Sequence, residues 1–203
     1  MNKMQLFVVS TCVFLSGASM ANDIRGIKLG EQYTILDKKF QEGSIQTHND
    51  PVDKKYGFKM HSMTSEKVSM GARSLPSGEL YQIRLTQLAP FKQADEFKSA
   101  LCAKYAITPC KWDRSMDKSN PGVTLYNFKG ERRVGHKTIS VSIGNTMKDS
   151  QKGYIWAGVS ISAGQPGDVV KMWGKKVKEI ELARKEAEAK KASDNADRVD
   201  ITF

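Results

Sequence analysis

The chain has 203 residues and a formal net charge of +10, with 32 Lys and Arg against 22 Asp and Glu. That length suits one domain with a normal core, or two small ones sharing an interface. Beyond the N-terminus no stretch is long and apolar enough for a transmembrane helix, which needs about 20 residues.

Residues 1–21 read as a secretory signal peptide: Lys3, an apolar run from Leu6 to Ala18, then the small-x-small pair Ser19 and Ala21. Cleavage is expected after Ala21. The "VSTC" segment ending at Cys12 imitates a lipoprotein box loosely, with too short an apolar stretch before it and Thr11 at the cleavage point. Removal of the leader takes Cys12 away and leaves an even pair, Cys102 and Cys110. In an oxidising compartment that pair is most simply a disulfide, and its spacing matches neither a thioredoxin-type motif nor a complete zinc site.

In the mature chain, "DIRGIKLG" reads as a short strand ending at Gly30, and Tyr33, Leu36 and Phe40 mark one face of a short helix. Residues 41–55 are polar and read as a loop. "KVSMGARSL" and "ELYQIRLTQL" follow as strands around a turn at Pro76 and Gly78. Ala94, Phe97, Leu101 and Tyr105 line one face of a helix that Pro109 stops, with Pro90 in its first turn and Cys102 in its last. A strand is expected to start at "KWDRSM". "GVTLYNFKG", "KTISVSIGN" and "GYIWAGVSISA" are three more strands, the last with Tyr154, Trp156, Gly158 and Ser160 opposite Ile155, Ala157, Val159 and Ile161. A long helix opens near Asp168, with Val169, Trp173, Val177 and Ile180 as its apolar stripe. After Leu182 the stripe fades, so this half is expected to project into solvent, and residues 193–203 have the composition of a disordered tail.

The order predicts an α+β fold: mainly antiparallel sheet, one or two, with two short packed helices and a long, partly projecting charged C-terminal helix. Residues 22–174 form the globular body, divisible into β-α halves near 22–88 and 89–174, and 175–203 the charged helix and tail. The body holds 23 basic and 15 acidic residues, and 175–203 holds eight and seven, so the charge excess belongs to the body. Such a body is attracted to anionic surfaces.

No G-x-S-x-G elbow or phosphate loop is present. "SMDK" at 115–118 and "SDN" at 193–195 imitate two motifs of penicillin-binding enzymes, but no K-T-G follows. His48, His61 and His136 lie in three separate segments. Met60, His61 and Met63 form a thioether–imidazole grouping of a kind that suits copper, against the plainer reading of core methionines and an exposed histidine. "LYNFKGERRVGHK" gathers Lys129, Arg132, Arg133 and Lys137 beside Tyr126 and Phe128, a candidate anion-binding hairpin. The expectation is an exported, periplasmic or secreted, non-enzymatic binding or accessory protein of a bacterial envelope, needing no cofactor. Its partner would be lipopolysaccharide, phospholipid, an acidic glycan or an envelope protein, with nucleic acid the least expected. The alternatives are a secreted hydrolytic enzyme whose site assembles from distant residues, and a periplasmic copper-binding protein.

Overall fold

A computed structural model describes residues 22–53, 55–112, 127–146 and 153–196. The signal segment at 1–21, the serine of "SMDK", Tyr126 and the last residues from 197 lie outside them. The elements are α1 (Ile35–Lys39), β1 (Gln46–Asn49), β2 (Lys59–Thr64), β3 (Val68–Ser74), β4 (Leu80–Pro90), α2 (Ala94–Tyr105), β5 (Asn127–Val134), β6 (Lys137–Gly144), β7 (Tyr154–Ser162) and α3 (Pro166–Ala196). The fold is α+β. All strands join one antiparallel sheet in the order β1-β2-β3-β4-β7-β6-β5. Two meanders, β1–β4 and β5–β7, are thus sewn together where β4 pairs with β7, from Gln82↔Ser162 to Pro90↔Tyr154.

Period-two alternation decides which side of the sheet is covered. Met63, Met70, Ala72, Ile83, Leu85, Phe128, Ile139, Val141, Ile143, Val159 and Ile161 face the core. Ile24, Ile27, Leu36, Phe40, Leu101, Tyr105 and Ile107 close over them. Tyr33, just before α1, stacks on His61 of β2 at 4.6 Å between ring centroids, while α2 lies against β5, β6 and β7. Gly130 is needed here: a Cβ on it would lie 2.2 Å from Ile107 Cγ2, so any side chain would push α2's exit off the sheet. The Tyr105 hydroxyl donates to the Asp23 carbonyl at 3.1 Å and ties the N-terminal segment to α2.

Cys102 and Cys110 are disulfide-bonded. The bridge joins the last turn of α2 to the chain beyond Ala106, which caps the helix in the left-handed conformation. Trp112 follows, donating its indole N–H to Asp95 and stacking edge-on against Phe128.

Three local expectations are revised, at "DIRGIKLG", at 41–55 and in the tail from Ser193, and one strand not read from the sequence, β2, is added. "DIRGIKLG" is not a strand: Arg25 and Gly26 both have positive φ, so the chain folds back and Ile24 bridges Ile27. The polar segment 41–55 contains β1, an exposed edge strand whose side chains carry no apolar alternation. "KMHSMT" pairs on both sides as β2, its alternation hidden because His61 takes an apolar residue's place in the core. Helix α3 continues through Ser193 to Ala196, and residues 181–193 are exposed.

The attachment of α3 is small and aromatic. Trp173 meets Phe58 edge-on at 6.0 Å, and Phe58 meets Tyr81 the same way at 5.8 Å. The Tyr56 hydroxyl lies only 2.7 Å from where a Cβ on Gly174 would be. Asp50 supports this platform: its buried carboxylate accepts from the Tyr81 hydroxyl at 3.1 Å and pairs with Arg73 at 3.4 Å. Asp53 accepts backbone N–H groups from Lys55, Tyr56 and Phe58; burial alone would raise its pKa, but these bonds hold it below the usual value.

Truncation after Leu182 is expected to leave the thermal midpoint nearly unchanged. Trp173→Ala should cost about 2 kcal/mol, less than a fully buried aromatic. Urea denaturation of both variants checks this. Thiol titration of denatured, unreduced protein should find neither Cys102 nor Cys110 free. Reduction should cost about 2–3 kcal/mol by the entropy of an eight-residue separation.

Candidate functional site

The sheet's other face is not covered by α1 or α2, and its side chains form a grid. Along β4, β7, β6 and β5, successive rows read Gln82–Ser162–Thr138–Arg133, then Arg84–Ser160–Ser140–Glu131, then Thr86–Gly158–Ser142–Lys129, then Leu88–Trp156–Gly144–Asn127. On the β2 and β3 side the face carries Met60, Ser62 and Thr64 against Arg73, Gly71 and Ser69. The face is thus small and hydroxylated, with long cationic side chains at intervals.

The last two rows except Leu88, with Arg84, Asn145 and Thr146, enclose a shallow recess of about 290 Å³. Gly158 and Gly144 leave its floor bare, and half-buried Trp156 stands between Leu88 and Gly144. The hydroxyls of Ser142 and Thr86 approach from either side, 3.0 and 3.5 Å from where a Cβ on Gly158 would lie. Arg84 and Lys129 stand exposed at opposite edges of the recess, across three strand spacings, roughly 14 Å.

The four hairpin cations divide between the two faces. Lys129 and Arg133 extend from the open face, where Glu131 between them accepts the Ser140 hydroxyl at 3.0 Å. Arg132 and Lys137 alternate to the core side, and Arg132 donates to the Tyr105 carbonyl at 3.3 Å. Phe128 is core and unavailable to a ligand. Among the described residues no ion pair involves Arg84, Lys129 or Arg133.

His61 is buried, one ring nitrogen 2.9 Å from Thr47 Oγ1 and the other 3.0 Å from Ser74 Oγ. Met63 shares its side of β2, beside Gly43, whereas Met60 alternates to the open face, so the three do not converge. His48 is exposed on β1 and His136 in the β5–β6 turn. Ser74 and His61 resemble a nucleophile–base pair, but Ser74 is itself buried and the second ring nitrogen meets a hydroxyl where a triad would put a carboxylate. Among the described residues no three His, Cys, Asp or Glu side chains group as metal ligands. No described helix is long and apolar enough to cross a membrane.

The hairpin cations were legible in the sequence, whereas Arg84 and Trp156 as site residues were not. Their signal is a positive charge and an indole on the hydrophilic side of cleanly alternating strands. Comparison with protein-family models, curated proteins and solved structures finds no match to this chain.

Burial lowers the His61 pKa below its ordinary 6.5, against a smaller upward pull from Asp37. Only the unfolded chain gains this proton as pH drops through 6.5, so its contribution is complete above that value and lost below it. Denaturation midpoints at neutral and mildly acidic pH should show stability falling on acidification, and His61→Gln should flatten that part of the profile.

Proposed function

We propose that the protein is an exported binding module of a bacterial envelope that takes an anionic partner on the open face of its sheet. The observation that carries this reading is that Arg84, Lys129 and Arg133 share the sheet face that α1 and α2 leave uncovered, with no ion-pair partner among the described residues. By contrast Arg73, at the β2–β3 end of the same face, and Arg25 and Arg184 elsewhere are each matched to an acid. Unpaired like charges on a rigid plane raise the local potential and draw anions to it.

Three features of the chain agree with this reading. The disulfide and the leader-like residues 1–21 suit an oxidising compartment outside the cytoplasm. The hydroxyl-rich face offers hydrogen bonds and no large apolar area. Recognition resting on separated charges is weak, reversible and salt-sensitive, with a screening length of about 10 Å at 0.1 M salt.

Co-sedimentation with anionic vesicles, lipopolysaccharide and an acidic polysaccharide, at low and high salt, tests it. Wild type should bind at least one of them at low salt and release it at high salt. Arg84→Glu/Lys129→Glu/Arg133→Glu should weaken that binding by at least about tenfold, each charge near an anionic surface being worth about 1 kcal/mol. The same reversal at Lys175, Lys178 and Lys185 of α3 should leave it nearly unchanged. Absence of all binding at low salt, or equal loss from both triple variants, rules the face out.

A further inference from the structure

We infer that the recess at Trp156 is a subsite for one ring of an acidic glycan, a pyranose bearing a carboxylate. This rests on the anion-binding reading of the open face and says which anion it takes.

Charge alone would be served by cations on any surface, but this recess combines three chemistries. Trp156 gives an apolar, polarisable wall; on the same face it is flanked by Leu88 on β4 and Tyr154 along β7, while the positions on its other two sides are Gly158 along β7 and Gly144 on β6. With neither glycine carrying a side chain, the recess on that side of the indole, bounded further by Asn145 and Thr146, has room for a flat ring. Large aromatic side chains are amphipathic contact surfaces, apolar on the face and polar at the indole nitrogen. The C–H face of a sugar ring matches that wall.

The floor then supplies what a sugar's hydroxyls need. Ser142 Oγ and Thr86 Oγ1 converge over Gly158, and neither is engaged by another described residue. A hydroxyl both donates and accepts, so this pair can match either role in a ligand hydroxyl. At the rim, Arg84 offers the planar fork that fits a carboxylate through two parallel N–H bonds, and Lys129 a point charge on the far side. Two single charges roughly 14 Å apart suit negative charges spaced along a chain better than one compact doubly charged group. A recess of about 290 Å³ lies at the small end of ligand sites, which suits one ring and not a large cofactor.

A lipid surface fits less well. The recess is concave and lies within the sheet face, so a plane of headgroups reaches its rim cations but not the floor hydroxyls or the indole. A single-stranded nucleic acid would need successive aromatic platforms along a continuous basic track. Here Trp156 and the exposed Tyr154 supply two rings at one end of β7, but no continuous basic track runs past them, since Glu131 interrupts the cations on β5.

The test uses the whole oxidised chain in calorimetric titrations at low salt. The probes are an oligogalacturonate, a neutral oligogalactoside of equal length, phosphatidylglycerol vesicles and oligo-dT. Oligogalacturonate should bind, and the neutral sugar should bind at least about tenfold more weakly. Trp156→Ala should cut oligogalacturonate affinity by about tenfold or more while leaving vesicle binding within about twofold, and Trp156→Phe should retain most of it. Should Trp156→Ala not fold, saturation transfer from the sugar to the indole N–H that disappears in Trp156→Phe gives the same answer. Equal binding of the neutral sugar, unchanged affinity in Trp156→Ala or no transfer to that indole overturns the subsite. The broader reading survives that result if the Arg84/Lys129/Arg133 reversal still abolishes polyanion binding. Tighter binding of oligo-dT, lost in Trp156→Ala, also overturns it in favour of a nucleic acid. If none of the anionic probes binds, the anion-binding reading itself fails and the subsite with it.

Discussion

The pairing of β4 with β7 is the constraint on which the molecule depends. Without it there are two small meanders, β1–β4 and β5–β7, each with one half-covered face. The register Gln82↔Ser162 through Pro90↔Tyr154 aligns the buried positions of both, so Ile83 with Ile161 and Leu85 with Val159 form one continuous core. It equally aligns the outward positions. A slip of one residue would turn Ile83 and Leu85 to solvent and Arg84 into the core, so burial on one side fixes the arrangement on the other. The recess straddles this seam, with Arg84 and Thr86 on β4, Trp156 and Gly158 on β7, and Ser142 and Lys129 beyond.

The two ends of the sheet are used differently. At the end where β7 leaves for α3, buried charge and aromatic rings hold the structure: Asp50 with Arg73 and Tyr81, then Phe58 and Trp173. Burial raises the Tyr81 pKa, and the adjacent Asp50 carboxylate raises it further, so the phenol stays a donor throughout the ordinary pH range. At the opposite end of β7, Trp156 has Gly158 and Gly144 on two of its sides, with Leu88 and Tyr154 on the others. Trp173 is held by an aromatic platform, while Trp156 borders the recess. The contacts that anchor α3 and the recess at Trp156 therefore lie at opposite ends of β7, so contact at the recess would not have to displace the helix.

How much of this was legible follows from what each feature depends on. The β6 and β7 strands, the apolar faces and the α2 stripe depend on local alternation, which the chain displays openly: Ile139, Val141 and Ile143 against Thr138, Ser140 and Ser142. The Cys102–Cys110 bond depends on nearness along the chain and an even count, and it too could be read. Strands β1 and β2 could not, for opposite reasons. In β1 all four side chains are exposed, so no period appears. In β2 the core position belongs to His61, whose polarity is satisfied by Thr47 and Ser74, residues that come close only after folding. The candidate site was half legible. Lys129 and Arg133 stand in a visible cluster, but Arg132 lies between them and alternates to the other face, as strand periodicity requires. Arg84 is far away in sequence and joins them only through the β4–β7 pairing.

That division of the hairpin cations explains what kind of surface the open face is. Had all four pointed one way, their mutual repulsion would have needed a dense counter-charge, and the hairpin tip would have been a cationic knob. Instead Arg132 spends its guanidinium on the Tyr105 carbonyl at the end of α2, a backbone acceptor that a helix terminus leaves open. Lys129 and Arg133 remain outward, two residues to either side of Glu131, which is itself engaged by Ser140. The result is a sheet face with positive charge spaced by hydroxyls. Separated charges cannot clamp a compact dianion, but they can follow an extended polyanion, and the hydroxyls between them are then positioned to bond what lies between its charges. On the anion-binding reading proposed above, such charge spacing would favour a ligand that is itself periodic, with polar uncharged groups between its negative ones.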